Sequence, residues 1–470
     1  MIDKKEFKIL FLYPNQHMRV TPPGGIAIIS ACLKASGFTN VHLFDSTWFP
    51  YSDEGASDEC EHVDRDKERS KRGMFKEYTW GDDFQIQNVN MYDAWRDMVL
   101  EIKPHVIISS IVEDTYGIWK KMMSMIDDQK FVSVVGGVFP TSVPKIFEPD
   151  CDYVACGEGD ETIPEMMELL RKGESCKNVQ NVYPNAYRPA VDVNKLPYTD
   201  HSIFPDKALY RPFKGEIRKI ATVETQRGCP FGCKFCNSPE KNFIYNRERA
   251  GKFFRRRSIE HIEGEFRELK EKHNIDLIWN ITDTLLTMDP EEFDAFCDMQ
   301  ERVGLEYFAQ TRPETLTEYQ AKRLLDSGCV KLNMGIEHGS DSFRRKYIGR
   351  VYKNDLAIKA FDTCRKVGLD TTCNFIIGYP YETMDDCWES VRMAREVDSD
   401  DINAFIYTPY HGTPLRQACV DAGFISDDLI VSMTFGADDE AATYLDMPPP
   451  YMSKEDIRYM FNNFVSFVRQ

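Results

Sequence analysis

The chain has 470 residues, 42% of them hydrophobic and 29% charged, the balance of a globular protein with room for a large core and about three domains. Its 58 Lys+Arg against 76 Asp+Glu leave a net charge of −18, which argues against a surface built to track nucleic-acid phosphates or anionic membranes. No apolar run approaches the ~20 residues of a membrane helix, and the start, Met1-Ile2-Asp3-Lys4-Lys5-Glu6, lacks a signal-peptide core, so a cytoplasmic protein without a membrane span is expected.

In chain order, short apolar runs rich in Val, Ile and Phe at 7–13, 41–44, 105–112, 131–136 and 152–156 read as buried strands. Amphipathic stretches at 24–36, 91–102, 117–128 and 161–171 read as helices between them. Strand alternating with helix predicts a doubly wound parallel sheet, whose ligands bind beyond the carboxyl ends of the strands. Those ends carry the loops 14–23, 109–114, 136–137 and 157–161. The polar, aperiodic stretch 51–87 reads as a surface insertion or lid; Trp48, Trp80 and Trp95 near it are candidates for a pocket wall or for core.

A Pro- and polar-rich connection, 183–214, separates a second alternation with strands expected at 220–226, 276–281, 305–310, 330–336, 371–377 and 402–407. Asp289-Pro290-Glu291-Glu292 and Thr317-Glu318-Tyr319-Gln320 are helix-starting capping boxes, and Gly328 closes the second helix. Six β/α units fit a partial (β/α)6 barrel, with its chemistry at the carboxyl ends of its strands. Residues 453–470 read as one amphipathic helix. The expected domains are 1–185, 186–430 and a small helical extension, 431–470.

Fourteen cysteines stand in a chain read as cytoplasmic, where disulfides are not expected. Eleven are scattered without ligand spacing and read as small buried hydrophobes. The other three lie directly after the first strand of the second half, in Arg227-Gly228-Cys229-Pro230-Phe231-Gly232-Cys233-Lys234-Phe235-Cys236. A C-x3-C-x2-C loop can wrap three corners of one iron–sulfur cluster, which requires thiolate ligands. A structural zinc site usually wants four protein ligands, and no fourth Cys or His stands at a matching distance. Three ligands on a four-iron cluster leave one iron open.

At this loop the chain resembles the radical S-adenosylmethionine (SAM) enzymes. That resemblance implies a [4Fe–4S] cluster on Cys229, Cys233 and Cys236, SAM on the open iron, and Phe235 beside the adenine. Five further segments resemble motifs of the same family in order. Trp279-Asn280-Ile281-Thr282-Asp283 is similar to its acidic motif, with Thr282 where many relatives have Asp. Gln310-Thr311-Arg312 resembles its Arg motif, and Gly335-Ile336-Glu337-His338-Gly339-Ser340 its G-I-E-S-G motif, with His338 in place of Ser. Gly378-Tyr379-Pro380-Tyr381-Glu382-Thr383 is similar to G-x-P-x-E-T, and residues 407–414 resemble the sixth-strand loop. The resemblance thus implies SAM contacts at Asp283, Arg312 and Glu337, and close approach of adenine at Gly378 and Pro380.

The amino-terminal half resembles the cobalamin-binding domain of the B12-dependent branch. The matching pieces imply cobalamin contacts at Pro23 and Gly24, at Ser109 and Ser110, at Gly136 and Gly137, and at Gly157, Glu158 and Gly159. His17 stands where many cobalamin proteins have D-x-H-x-x-G, but neither the Asp nor the Gly is present. It is expected to be a loop residue near the corrin rather than a cobalt ligand.

The function implied is reductive cleavage of SAM to a 5′-deoxyadenosyl radical, followed by methyl transfer from methylcobalamin to an unactivated carbon. The alternatives are cyclisation or rearrangement on a tetrapyrrole or lipid-like substrate and, from another class, a cobalamin-binding electron-transfer module without turnover. The expected partners are a small-molecule or peptide substrate and a one-electron reductant such as flavodoxin or ferredoxin, with no nucleic acid.

Overall fold

The hydrophobic periodicities resolve into two α/β units. The computed structural model describes residues 1–15, 22–49, 72, 76, 89–431 and 442–470. His17, Trp80 and nearly all of the 51–87 stretch lie outside the described residues.

The first unit contains β1 (Ile9–Tyr13), α1 (Gly24–Ala35), β2 (Val41–Asp45), α2 (Met91–Ile102), β3 (Val106–Ser110), α3 (Tyr116–Ser124), β4 (Val132–Gly136), β5 (Tyr153–Val154) and α4 (Thr162–Leu170). All paired strands are parallel, in the order β2-β1-β3-β4-β5. This is the flavodoxin-like doubly wound order, with its switch point between β1 and β3. The strands are continuous apolar runs because helices cover both faces: Ile9, Phe11, Val106, Ile108 and Val134 pack with Ile26 and Leu33 of α1 and Met166 of α4. Trp95 is fully buried and donates its indole N–H to Met122 O at 2.9 Å, and Trp48 is buried beside Phe204, so both are core residues.

The second unit contains β6 (Tyr210–Phe213), β7 (Glu216–Val223), the first residues of α5 (Ser238–Arg247), most of which belongs to the first unit, α6 (Ile259–His273), β8 (Leu277–Asn280), α7 (Pro290–Val303), β9 (Glu306–Thr311), α8 (Glu318–Asp326), β10 (Cys329–Glu337), α9 (Asn354–Val367), β11 (Thr371–Ile377), α10 (Met384–Val397), β12 (Asp401–Ile406), α11 (Pro414–Asp421) and α12 (Lys454–Arg469). The sheet runs β12-β11-β10-β9-β8-β7-β6, and β7 to β12 are parallel. Strand β6 is an addition to the six expected. It carries Pro212, which a central strand does not tolerate, but it is the edge strand, where a missing N–H costs little.

Domain boundaries differ from the expected ones. The first unit runs on through Tyr210 and takes in Lys241–Phe253, while the carboxy-terminal helix belongs to the second. Ala190 N donates to Ala250 O at 2.7 Å, Tyr187 meets the Tyr245 ring at 5.7 Å, and Ser30 Oγ donates to Asp200 at 2.6 Å. Such long-range docking leaves no periodic trace in a connection that reads as a linker. Helix α12 starts at a capping box formed by Ser453 and Asp456 and buries Ile457, Met460, Phe461, Phe464 and Val465. Each apolar side chain so buried contributes roughly 1.5–3 kcal/mol. Phe464 meets Phe375 of β11 at 5.5 Å, so the helix is part of the barrel wall rather than a separate extension.

Candidate active site

The site grows from the carboxyl ends of β7 to β11. After β7 the chain pairs Gln226 and Arg227 with Arg256 and Arg255, then enters the thiol loop. Thr282, standing where relatives have an acid, is buried, and its Oγ1 accepts from Thr225 N at 3.0 Å and Gln226 N at 3.2 Å. Its role is to fasten the start of the loop to β8. Asp283 is exposed and accepts from Ser238 Oγ at 2.6 Å, while Ser238 N donates to Cys236 Sγ at 3.4 Å. Asp283 therefore holds the end of the thiol loop.

Cys229 and Cys233 are buried, Cys236 is half-buried, and no disulfide joins the described cysteines. Burial pushes the Cys229 thiol up and the Cys236 thiol up to about 12, and the charges of the three sulfurs act on one another. The Cys229 and Cys236 thiols are thus held neutral, and they would give up their protons where a metal centre supplies positive charge. Among the described residues no three His, Cys, Asp or Glu converge on one point as they would around a single ion. A cluster has its own bulk and holds its thiolates further apart, so the donor set fits iron–sulfur better than one metal ion.

Arg312, directly after β9, is buried against this loop. It donates to Cys233 Sγ at 3.5 Å, lies 3.9 Å from the Phe231 ring centroid and pairs with Glu314. Glu337 ends β10 at a β-bulge, with a left-handed φ of 71°. Bulges and left-handed non-glycine residues re-aim side chains and gather at functional sites. Its carboxylate turns back under Gly335, and its Oε1 accepts from Arg350 Nη2 at 3.1 Å. Burial pushes Glu337 up, opposed by Arg350 and then Arg312. Arg350 also donates to Gly335 O at 2.5 Å and lies 5.9 Å from the Phe235 ring, whose edge meets Tyr379 at 6.1 Å. The structure therefore gathers the three cysteines, Phe235, Asp283, Arg312 and Glu337 in one neighbourhood.

Gly378 has a φ of 72°, and a Cβ there would stand 2.9 Å from Ile457 of α12, so a side chain at this position would collide with that helix. Pro380 is buried beside Tyr381, itself at a φ of 69°. His338 is fully buried: its Nδ1 accepts from Ser340 N at 3.0 Å and its Nε2 stands 3.3 Å from Glu382, which accepts from Tyr379 N at 2.9 Å. The His in place of Ser thus ties the loop after β10 to the loop after β11. Sequence reasoning missed Arg350 and Glu314. Arg350 is one of five basic residues in 344–353, and nothing in that run marks which one turns inward.

In the first unit the cobalamin candidates sit at the carboxyl ends of β3, β4 and β5 and at the start of α1. Gly137, at a φ of 113°, is required by the Ile111 backbone; Gly157, at 74°, by Tyr187 and Tyr245; and Gly159 by Ile29. Gly136 would place a Cβ 3.3 Å from Ala155 O. Ser109 is buried and Ser110 half-buried, and the Glu158 carboxylate accepts from Val191 N at 3.1 Å. Around Pro23 and Gly24 the picture differs. Helix α1 starts with no side-chain cap and no acidic first-turn residue, and a Cβ on Gly25 would meet nothing within 4 Å. A helix start that follows β1 in the chain at the switch point and has no side-chain cap among the described residues fits a phosphate-bearing nucleotide tail.

The comparisons agree with this geometry. The Radical SAM superfamily model matches residues 223–394. An uncharacterized methyltransferase of Pyrococcus horikoshii is 29% identical over 341 residues, 70% of this chain and 70% of that protein. The anaerobic magnesium-protoporphyrin IX monomethyl ester cyclase of Rubrivivax gelatinosus is 20% identical over 449 residues, 88% of this chain and 70% of that one. Among solved structures, the radical SAM methyltransferase TsrM from Kitasatospora setae, with cobalamin and a [4Fe–4S] cluster bound, superposes with a TM-score of 0.65 at 14% identity, covering 97% of this chain and 85% of that one. No helix among the described residues is long and apolar enough to cross a membrane. Residues 223–394 therefore form a radical SAM domain, which a doubly wound α/β unit precedes in sequence.

Proposed function

We propose that the chain is a cobalamin-dependent radical SAM methyltransferase acting on an unactivated carbon of a small-molecule or peptide substrate. The observation that carries this reading is the thiol loop with Arg312 laid on Cys233, set at the strand ends of a parallel half-barrel. Cys229, Cys233 and Cys236 would hold the [4Fe–4S] cluster; Glu337, Arg312, Phe235 and Asp283 would surround SAM; the loops after β1, β3, β4 and β5 would hold cobalamin. When bound, the cluster supplies the electron that splits SAM, and cobalamin supplies the methyl group. In this scheme Arg312 keeps a positive charge and an N–H on one cluster sulfur, and Glu337 offers the carboxylate oxygen not taken by Arg350 to an ammonium or ribose hydroxyl.

The likeness to a named cyclase over most of the chain supports a second reading, in which hydrogen abstraction ends in ring closure. Anaerobic reconstitution tests both. About four irons and four sulfides should bind, and 5′-deoxyadenosine should form under reduction. S-adenosylhomocysteine formed alongside supports methyl transfer; its absence during substrate turnover supports cyclisation. Replacing Cys229, Cys233 and Cys236 together by Ala should remove both iron and SAM cleavage, and a cluster retained in that variant would refute the ligand assignment. Cobalamin should bind base-off with no protein nitrogen on cobalt, so nitrogen superhyperfine coupling in the Co(II) EPR spectrum would point back to His17.

A further inference from the structure

Against a net charge of −18, residues 344–353 (Arg344-Arg345-Lys346-Tyr347-Ile348-Gly349-Arg350-Val351-Tyr352-Lys353) hold five basic residues and no acidic one. The fold divides these cations into two sets. Arg344 is fully buried and donates to His338 O at 2.5 Å and to Asn354 Oδ1 at 2.7 Å, while Arg350 is engaged by Glu337. Arg345 and Lys346, on the π-helical turn 344–348, and Lys353 are exposed instead.

That exposed turn lies against the thiol loop. Lys234, between Cys233 and Phe235, donates its backbone N–H to Ile348 O at 2.9 Å and its ammonium to Lys346 O at 3.0 Å. A Cβ on Gly349 would stand 3.0 Å from Gly232 O, so the two backbones are in close contact. None of Lys234, Arg345 and Lys346 takes part in an ion pair among the described residues. Aromatic and apolar surface adjoins them: Tyr347 stacks on Tyr381 at 5.1 Å, Tyr381 meets Tyr451 at 5.6 Å, and Val351 is 69% exposed. Arginine and tyrosine are enriched in protein-binding surfaces, and lysines at the rim steer an oppositely charged partner.

Splitting SAM at this loop requires one electron from outside, and a donor transfers it only from a position close to the thiolates. We propose that Lys234, Arg345 and Lys346, with Tyr347 and Val351, form the docking surface for a small acidic one-electron carrier protein. The carrier gives one electron to the cluster and is itself oxidised by one electron. This rests on the radical SAM reading of the same loop. Three cations without an ion pair among the described residues, on an acidic chain, favour one compact acidic partner over a nucleic-acid backbone, which needs a longer basic track.

The test uses the full-length, cluster-loaded protein and labelled oxidised flavodoxin, an acidic flavin carrier, with binding read by fluorescence anisotropy. Stopped-flow bleaching of the cluster by flavodoxin hydroquinone is measured in parallel. The wild type should bind with an affinity that falls as salt rises. In Arg345→Glu/Lys346→Glu the Kd should rise about tenfold at low ionic strength, its salt dependence should flatten, and bleaching should slow by a similar factor. Arg345→Gln/Lys346→Gln should fall between the two. Dithionite, which needs no docking, should drive SAM cleavage equally in all three proteins. No dithionite-driven cleavage in the wild type would refute the radical SAM reading itself. Salt-independent or absent flavodoxin binding in the wild type, or equal Kd and bleaching across the variants, would overturn the docking surface. So would loss of RNA oligonucleotide binding in the variants with flavodoxin binding intact.

Discussion

Replacing Glu337 by Gln separates the charge of this carboxylate from its shape. In the ligand-free chain Oε1 accepts from Arg350 Nη2 at 3.1 Å, and Oε2 has no partner among the described residues. The amide oxygen of Gln can keep the first bond, but its NH2 group cannot accept at the second position. In the proposed SAM site this removes a charge-assisted hydrogen bond worth about 1.5–3 kcal/mol, which corresponds to a Kd for SAM raised roughly ten- to a hundredfold. Arg350 meanwhile loses its buried counter-charge. Breaking such a pair costs about 3–5 kcal/mol, and the retained hydrogen bond should keep the loss near the lower figure. SAM affinity is read by equilibrium dialysis of reconstituted protein, iron by chemical analysis, and stability by urea unfolding of the metal-free chain. Gly335→Ala provides a second route to the same end, because its methyl group would collide with the Glu337 carboxylate while leaving its charge in place. The reasoning fails if SAM binds both variants as it binds the wild type. It fails equally if Glu337→Gln cannot hold iron, which would make Glu337 a structural partner of Arg350 only.

Gly339→Ala would drive a methyl group into the backbone of α10 at Glu389 and Ser390 and strain the bond from Gly339 N to Ser390 Oγ, 2.9 Å long. Overpacking and the strained bond together should cost about 2–4 kcal/mol, seen as a lower urea midpoint; an unchanged midpoint would show that the two elements separate freely. Arg312→Lys should retain the cluster but lose the stack on Phe231 and the planar fork that reaches both Cys233 and Glu314. Hydrogen bonds to cluster sulfurs favour the reduced state, so losing about 1 kcal/mol of that preference should make the midpoint potential about 40 mV more negative in a redox titration. An unchanged or more positive potential would count against the contact. Arg171, with Lys172 and Lys4 beside it, holds Glu168 at about 2 instead of 4.5. A depressed carboxylate stabilises the fold above pH 4.5 and loses that contribution as the pH falls toward 2. Glu168 is 30% exposed, so Glu168→Gln should cost no more than about 1 kcal/mol at pH 7, a difference from wild type that vanishes near pH 2 in urea titrations.

The sequence by itself determined the thiol loop and the order of the elements. Three thiols at C-x3-C-x2-C, and strand-end residues such as Arg312 and Glu337, were legible because ligand type and spacing are local properties of the chain. Strands β1 to β5 and β7 to β12 were legible because a parallel sheet covered by helices demands unbroken apolar runs at regular intervals. Tertiary structure alone decided what each polar side chain faces. Gly378 reads only as a motif glycine until Ile457, 79 positions later in the chain, is found beside it. His338 reads as a departure from a motif until Glu382 is found 3.3 Å away, and Arg350 is indistinguishable from Arg345 and Lys346 until the bulge at Glu337 brings a carboxylate to it. Strand β6 was hidden by Pro212, which only an edge position permits. Spacing along a chain reports periodicity, but burial, ion pairing and close backbone approach depend on which distant elements meet, and a single sequence carries no record of those meetings.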